Sequence, residues 1–204
     1  MSPVPSQERE SRARGARAAA PPLGPEDCPL EALREAHFLQ RQICLDMETL
    51  ADTTTARPAL ALAVLTNLCR DLPLHHADED EGLFPLLRHR ARDEDDIAPL
   101  LDRLSADHEA HAAAIRPLLP ALACMADHAL PAPEDRTALR ALALAERRHM
   151  IIENAIILPL AQIRLTAADR RQLIASMAAR RAAPAALRGP CAGLPTARPE
   201  GADR

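Results

Sequence analysis

Two stretches of the chain follow one formula. In "HHADEDEGLFPLL", His75, Glu79 and Pro85 stand at the same spacing as His149, Glu153 and Pro159 in "HMIIENAIILPLA". A spacing of i, i+4 sets two side chains on one helix face, about one turn apart. The constraint on the fold comes from what surrounds them. One apolar stripe reads Leu65, Leu68, Leu72, His75, Glu79, Gly82, Leu86, and another reads Leu142, Glu146, His149, Glu153, Ile156, Leu160, Ile163. A third, Ile97, Leu101, Leu104, His108, His111, Ile115, Leu118, Leu122, also passes through histidines. A chain that buries these stripes buries imidazoles and carboxylates with them.

The segments carrying the stripes read as helices. Apolar residues recur at alternating steps of three and four, Ala and Leu abound, and glycine is scarce at 6 of 204 residues. Four long segments are predicted at about 29–51, 58–91, 94–126 and 134–164, with a shorter helix at about 166–181 capped by Thr166. Pro58 can open the second helix. Pro73, Pro117, Pro120 and Pro159 fall inside helical patterns and predict kinks. The segments before His75 and His149 also correspond, "LREAHF" with His37 to "LSADHE" with His108, so the chain reads as two copies of a helical hairpin. The fold class is all-α: an antiparallel up-down four-helix bundle over residues 28–182 with a short extra C-terminal helix. Residues 1–27 and 183–204, rich in Pro, Arg and Ala, are expected to be disordered tails.

Composition removes several function classes. A net charge of −4 and the lack of a dense basic stripe argue against a nucleic-acid partner, as does the absence of Trp and Tyr. No apolar run reaches membrane-spanning length and the N-terminus lacks a signal-peptide pattern, so a cytoplasmic protein is expected. The five cysteines show no paired spacing. Cys44, Cys69 and Cys124 sit in apolar helical patterns, as buried reduced thiols do.

An isolated His-x-x-x-Glu pair is ordinarily a solvated surface pair that contributes only a few tenths of a kcal/mol. On an apolar stripe it is another matter. Each buried polar group without a partner costs roughly 2–7 kcal/mol, and a bare charge more, against a total stability of about 5–15 kcal/mol. Four imidazoles (His37, His75, His108, His149) and two carboxylates (Glu79, Glu153) meeting at mid-bundle call for cations. Mixed His and carboxylate donors suit iron, manganese or zinc, and two glutamates can each bridge a metal pair.

On these residues the chain resembles the hemerythrin-like family, the HHE cation-binding domain, over about 29–181. The resemblance implies a non-haem di-iron centre that binds O2 or NO for sensing, storage or stress protection. His37, His75, His108 and His149 would be terminal ligands, and Glu79 and Glu153 would bridge two iron ions. The six-ligand pattern looks most like the branch containing iron–sulfur repair proteins, although the Cys-containing N-terminal domain of those proteins is absent here. Oxygen carriers have two histidines four apart on the third helix; this chain has Ala112 there, with His111 three from His108. His111 is a candidate fifth histidine. A monomer or weak homo-oligomer is expected. Iron–sulfur repair or oxidant detoxification at the same centre, and a metal-free scaffold, are the alternatives.

The other polar residues have plain readings. His76 lies one step round from the stripe. Asp78, Asp80 and Glu81 read as a solvated acidic face, and His89 and His128 as exposed. Gln40 and Glu146 read as neighbours of the ligands or as bundle-edge polar groups, and Met47, Met125 and Met150 as core filler.

Overall fold

The computed structural model describes Gly24 and residues 27–182, and these are mostly helical with no strand among them. Apart from Gly24 and Asp27, the two expected tails lie outside the described residues. The first rod is α1, Pro29–Asp52. The second comprises α2 (Pro58–Thr66), α3 (Leu72–Asp78) and α4 (Phe84–Arg90), joined by π-helical turns at Asn67–Asp71 and Glu79–Leu83. A 3-10 turn, Asp93–Asp95, leads to the third rod, α5, Ala98–Ala126. The fourth is α6 (Pro133–Ile152) and α7 (Leu158–Arg164), joined by a π-turn at Glu153–Ile157. A final helix, α8, spans Ala167–Ala182. Proline stands in the first turn of α1, α2, α5 and α6, where its missing N–H costs nothing.

Each π-turn ends two residues before a proline, at Pro73, Pro85 and Pro159. The residues just ahead of them, Leu72, Phe84 and Leu158, donate their backbone N–H groups five residues back, to the carbonyls of Asn67, Glu79 and Glu153. A proline ring clashes with the carbonyl four residues earlier and offers it no hydrogen; the wider turn accommodates this. Pro117 and Pro120, by contrast, lie within α5 with no π-turn before them.

A π-turn inserts one residue, and the buried stripe slips accordingly. Beyond Glu79 the inward side chains are Leu83 and Leu87, with Leu86 half-buried; beyond Glu153 they are Ile157 and Ala161. Ile156 and Ile163, expected inward, are 45 % and 72 % exposed. The third rod has no π-turn, and all eight positions of its stripe are buried as expected.

The buried apolar residues form two clusters with the His/Glu level between them. One gathers Met47, Leu68, Leu72, Leu118, Leu122, Leu139 and their neighbours; the other gathers Leu30, Leu33, Phe84, Leu87, Leu101, Leu104 and Leu158. The first rod runs from the second cluster to the first, the second rod returns, and the third and fourth repeat the alternation. Rod one packs on α6, α2 on α5, and α5 on α6. Met47, Met125 and Met150 are core residues, as read from sequence. Cys44 is buried, but Cys124 is exposed, on the outer side of α5. Cys69 is disulfide-bonded, so it does not meet the expectation of a reduced thiol.

Helix α8 covers the second cluster with Leu173, Ile174 and Met177. Thr166 caps it: the Asp169 N–H donates to Thr166 Oγ1, and Asp169 Oδ2 accepts from the Thr166 backbone N–H. The same carboxylate accepts two hydrogen bonds from Arg90 at 2.9 and 3.0 Å. Asp78, read from sequence as solvated, is fully buried, because α8 brings Arg180 and Arg181 to within 2.7 and 2.6 Å of its oxygens. Glu81 stays exposed, as expected.

The double substitution Arg180→Ala/Arg181→Ala strands the Asp78 carboxylate in the core. It is expected to lower the unfolding free energy by about 3 kcal/mol, measured by urea denaturation followed by circular dichroism. Arg92→Ala, which removes an open surface pair with Glu94, should cost under about 1 kcal/mol. Equal losses would mean that Asp78 is not held by these two arginines.

Candidate metal centre

All four rods send donors to the level between the clusters. His37 comes from α1, His75 from α3, Glu79 from the first residue of a π-turn, His108 from α5, His149 from α6 and Glu153 from the first residue of another π-turn. The six are at most 5 % exposed. Their donor atoms fall into two groups, His37–His75–Glu79–Glu153 and Glu79–His108–His149–Glu153, each within a mutual 4.8 Å. Both glutamates belong to both groups.

In the first group His37 Nε2 lies 3.5 Å from Glu79 Oε1 and 3.2 Å from Glu153 Oε2, and His75 Nε2 lies 3.5 Å from Glu79 Oε1. In the second, His108 Nε2 is 3.5 Å from Glu79 Oε2 and His149 Nε2 is 3.0 Å from Glu153 Oε1. These approaches do not have the direction of hydrogen bonds. All four oxygens of Glu79 and Glu153 are buried and without a hydrogen-bond partner, as is His37 Nε2. Carboxylates in that state are costly unless a cation satisfies them.

The charges agree with this. Burial alone would lower the His37 imidazole, but the Glu153 and Glu79 carboxylates outweigh it and lift it to about 10. His108 is likewise lifted to about 10 against its burial, by Asp80 and Glu79. His149 is raised, its burial outweighed chiefly by Glu153. Burial pushes Glu79 up, as does Glu153, yet the surrounding imidazoles hold it below the usual carboxylate range; Glu153, also opposed by burial, is held well below by His149 and His37. His75 and His76 are lowered, chiefly by burial, and stay neutral. One separation settles how these tendencies combine. His108 Nε2 and His149 Nε2 are 2.9 Å apart, a gap that admits a single N–H and not two. Two nitrogens about 2.1 Å from one ion and at right angles also stand about 3 Å apart. The residues present therefore fit a shared cation better than two imidazolium rings.

Asp80 is a neighbour of the candidate site that the sequence reading missed. It is half-buried rather than part of a solvated face, and its Oδ2 lies 2.8 Å from His108 Nδ1 while Oδ1 accepts from Ser105 Oγ at 2.7 Å. This turns His108 Nε2 toward the glutamates and fixes the tautomer, the usual role of a carboxylate behind a metal-binding histidine. The only sequence signal was its place on the His75–Glu79 turn, since its partner lies on another rod. Phe84 stacks on His108 from the apolar side, rings 5.9 Å apart.

His111 does not join either shared group. It lies with His76 and Glu146 in a third, with its Nδ1 2.7 Å from Glu146 Oε1. Glu146 is buried and also accepts from Gln40 Nε2 at 3.5 Å. His89 and His128 are exposed.

The described helices include none long and apolar enough to cross a membrane. Comparison with known proteins agrees with the geometry. The hemerythrin HHE cation-binding domain matches residues 28–161, a span containing every donor of the three groups. No curated protein and no solved structure matches the chain. With the His/Glu groups lying inside the matched span, the chain belongs to the hemerythrin HHE cation-binding domain family.

Proposed function

We propose that this protein is a di-iron protein that binds O2 or NO, with the ion pair held by the two groups that share Glu79 and Glu153. The observation carrying the reading is that sharing: two sets of donors, each with two imidazoles, joined by two carboxylates whose oxygens have no other partner. In this reading residues 28–182 form one up-down four-helix bundle, and the alternating order in which the rods cross the two apolar clusters supports it.

Iron ions held there would supply a redox-active pair for gas binding in stress protection, sensing or storage. The chain's own residues set its terms. His37 and His75 would hold one ion and His108 and His149 the other, with Glu79 and Glu153 shared between the two groups. Four protein donors for each ion would be fewer than the about six that such ions take, which suits a site that takes an external ligand. The apolar clusters above and below exclude bulk water, and Asp80 keeps one terminal imidazole in its binding tautomer. Manganese or zinc fits the same donors. The orphaned carboxylate oxygens weigh against a metal-free scaffold.

Metal analysis of the purified protein, followed by spectra of the reduced form with O2 and with NO, tests the reading. About two iron ions per chain are expected; without Trp or Tyr to absorb near 280 nm, a bound iron pair would dominate the near-ultraviolet spectrum. Glu79→Ala and Glu153→Ala should lose most of the iron and Glu81→Ala should keep it. Equal iron in all three variants would assign the bridges to the wrong carboxylates.

Asp80→Asn should weaken metal binding by about tenfold, the lower end of what loss of a supporting carboxylate does. Chelator competition would read this, and unchanged affinity would remove Asp80 from the site.

Acidity gives a further expectation. His37 and His108 sit at about 10 in the metal-free fold against an ordinary 6.5. A raised value stabilises the protonated form, so the contribution is full below about pH 6.5 and is lost as pH rises toward 10. The melting temperature of the metal-free protein should fall across that window, and metal loading at pH 7 should release protons. A flat melting profile with no proton release would show that these rings are not held as cations.

A further inference from the structure

Beside the shared groups lies a third set of donors, His76, His111 and Glu146, whose ligand atoms are within a mutual 4.8 Å. Each neighbours in sequence a residue of the main centre. His76 follows His75 directly, His111 is one turn after His108, and Glu146 is one turn before His149. Successive helix residues point about 100° apart, so α3 presents His75 to one group and His76 to another. The His76 ring stacks on His108, centroids 3.9 Å apart and planes 15° apart, and is 6.1 Å from the His111 ring.

Three donor atoms at this point are buried and without a hydrogen-bond partner: His76 Nε2, His111 Nδ1 and Glu146 Oε1. His111 Nδ1 and Glu146 Oε1 lie 2.7 Å apart without the direction of a hydrogen bond. Glu146 is oriented from behind, its other oxygen accepting from Gln40 Nε2 at 3.5 Å. His111 and Glu146 are 5 % and 1 % exposed, and among the described residues neither pairs with an arginine.

We propose that His76, His111 and Glu146 form a separate mononuclear site for a divalent first-row transition ion. Two imidazoles and one carboxylate are the donor set of open zinc sites and of the facial sites that hold ferrous iron. Three protein donors leave at least one position free, so this ion would carry exchangeable water. The site uses neither Glu79 nor Glu153, and it stands whether or not the shared groups hold a pair. Its position across the His108 ring puts a second charge beside the main centre.

The test loads metal-free full-length protein with Co2+ and counts ions retained after gel filtration, with circular dichroism as the check on folding. Wild type is expected to hold three ions per chain. His76→Asn and Glu146→Gln should each hold two, and Glu79→Ala should keep the ion at the third site. Two ions in wild type, unchanged by His76→Asn or Glu146→Gln, would overturn the third site while leaving the pair intact. One ion in wild type, lost in His76→Asn but kept in Glu79→Ala, would uphold the third site and overturn the pair. If His76→Asn fails to fold, Glu146→Gln and His111→Asn carry the count, and three ions in both would refute the proposal.

Discussion

Everything in this molecule turns on a layer of titratable side chains at the middle of an otherwise apolar core. His37, His75, Glu79, His108, His149 and Glu153 are all at most 5 % exposed, and each continues a row of leucines on its own rod. Removing such groups from water costs several kcal/mol apiece, comparable in sum to the whole stability of a domain. The layer survives because imidazoles and carboxylates face one another. In the metal-free fold the imidazoles lifted by Glu79, Glu153 and Asp80 oppose those same carboxylates. The balance is poor, since the carboxylate oxygens lack true hydrogen bonds. A fold that tolerates poor pairing at its centre is arranged for something that pairs better.

The π-turns explain how the carboxylates reach that centre. Glu79 and Glu153 each open such a turn, with a proline six residues on, and in both cases the glutamate's own carbonyl accepts the five-residue hydrogen bond. Backbone and side chain of one residue are thereby set together: the wide turn accommodates the proline, and it begins at the glutamate. The same arrangement occurs at Asn67 and Pro73, where the polar residue is also buried and the fourth rod has no counterpart. Wide turns of this kind recur at functional positions in helices, and here the reason is local and visible in the chain.

Much of this was legible in the sequence because helical periodicity is a local property. The helical rods, the third rod's full stripe and the Thr166 cap follow from spacings within single segments, and the grouping of His37, His75, Glu79, His108, His149 and Glu153 from one pattern repeated in two hairpins. What failed depended on events that a uniform 3.6-residue period cannot express. Ile156 and Ile163 were expected inward because the extra residue of the π-turn was not counted, although the proline that the turn accommodates was in view. Asp78 and Asp80 read as solvent-facing because their partners, Arg180, Arg181 and His108, lie on other rods. Cys124 was expected inside an apolar pattern and proved exposed, since α5 is apolar on more faces than it buries.

The two shared groups are not equivalent, and the difference bears on any ligand that enters between them. Among the described residues only His108 has its remote nitrogen hydrogen-bonded to a carboxylate; the Nδ1 atoms of His37, His75 and His149 are buried without hydrogen-bond partners, although Asp107 Oδ2 comes within 3.7 Å of His149 Nδ1. A carboxylate behind an imidazole raises its basicity and fixes its direction, so an ion on the His108–His149 side would meet the stronger and stiffer donor. That side also carries the stacked His76 ring, with His111 5.5 Å from His149. The His37–His75 side has looser donors, and His37 alone contacts both glutamates. With two ions bound, the first side would hold its ion more tightly, and the less constrained side would have more freedom to change its coordination. The repeat in the sequence is symmetric in its candidate donors, whereas the polar residues around it are not, and that surrounding asymmetry is what would give the two positions different work.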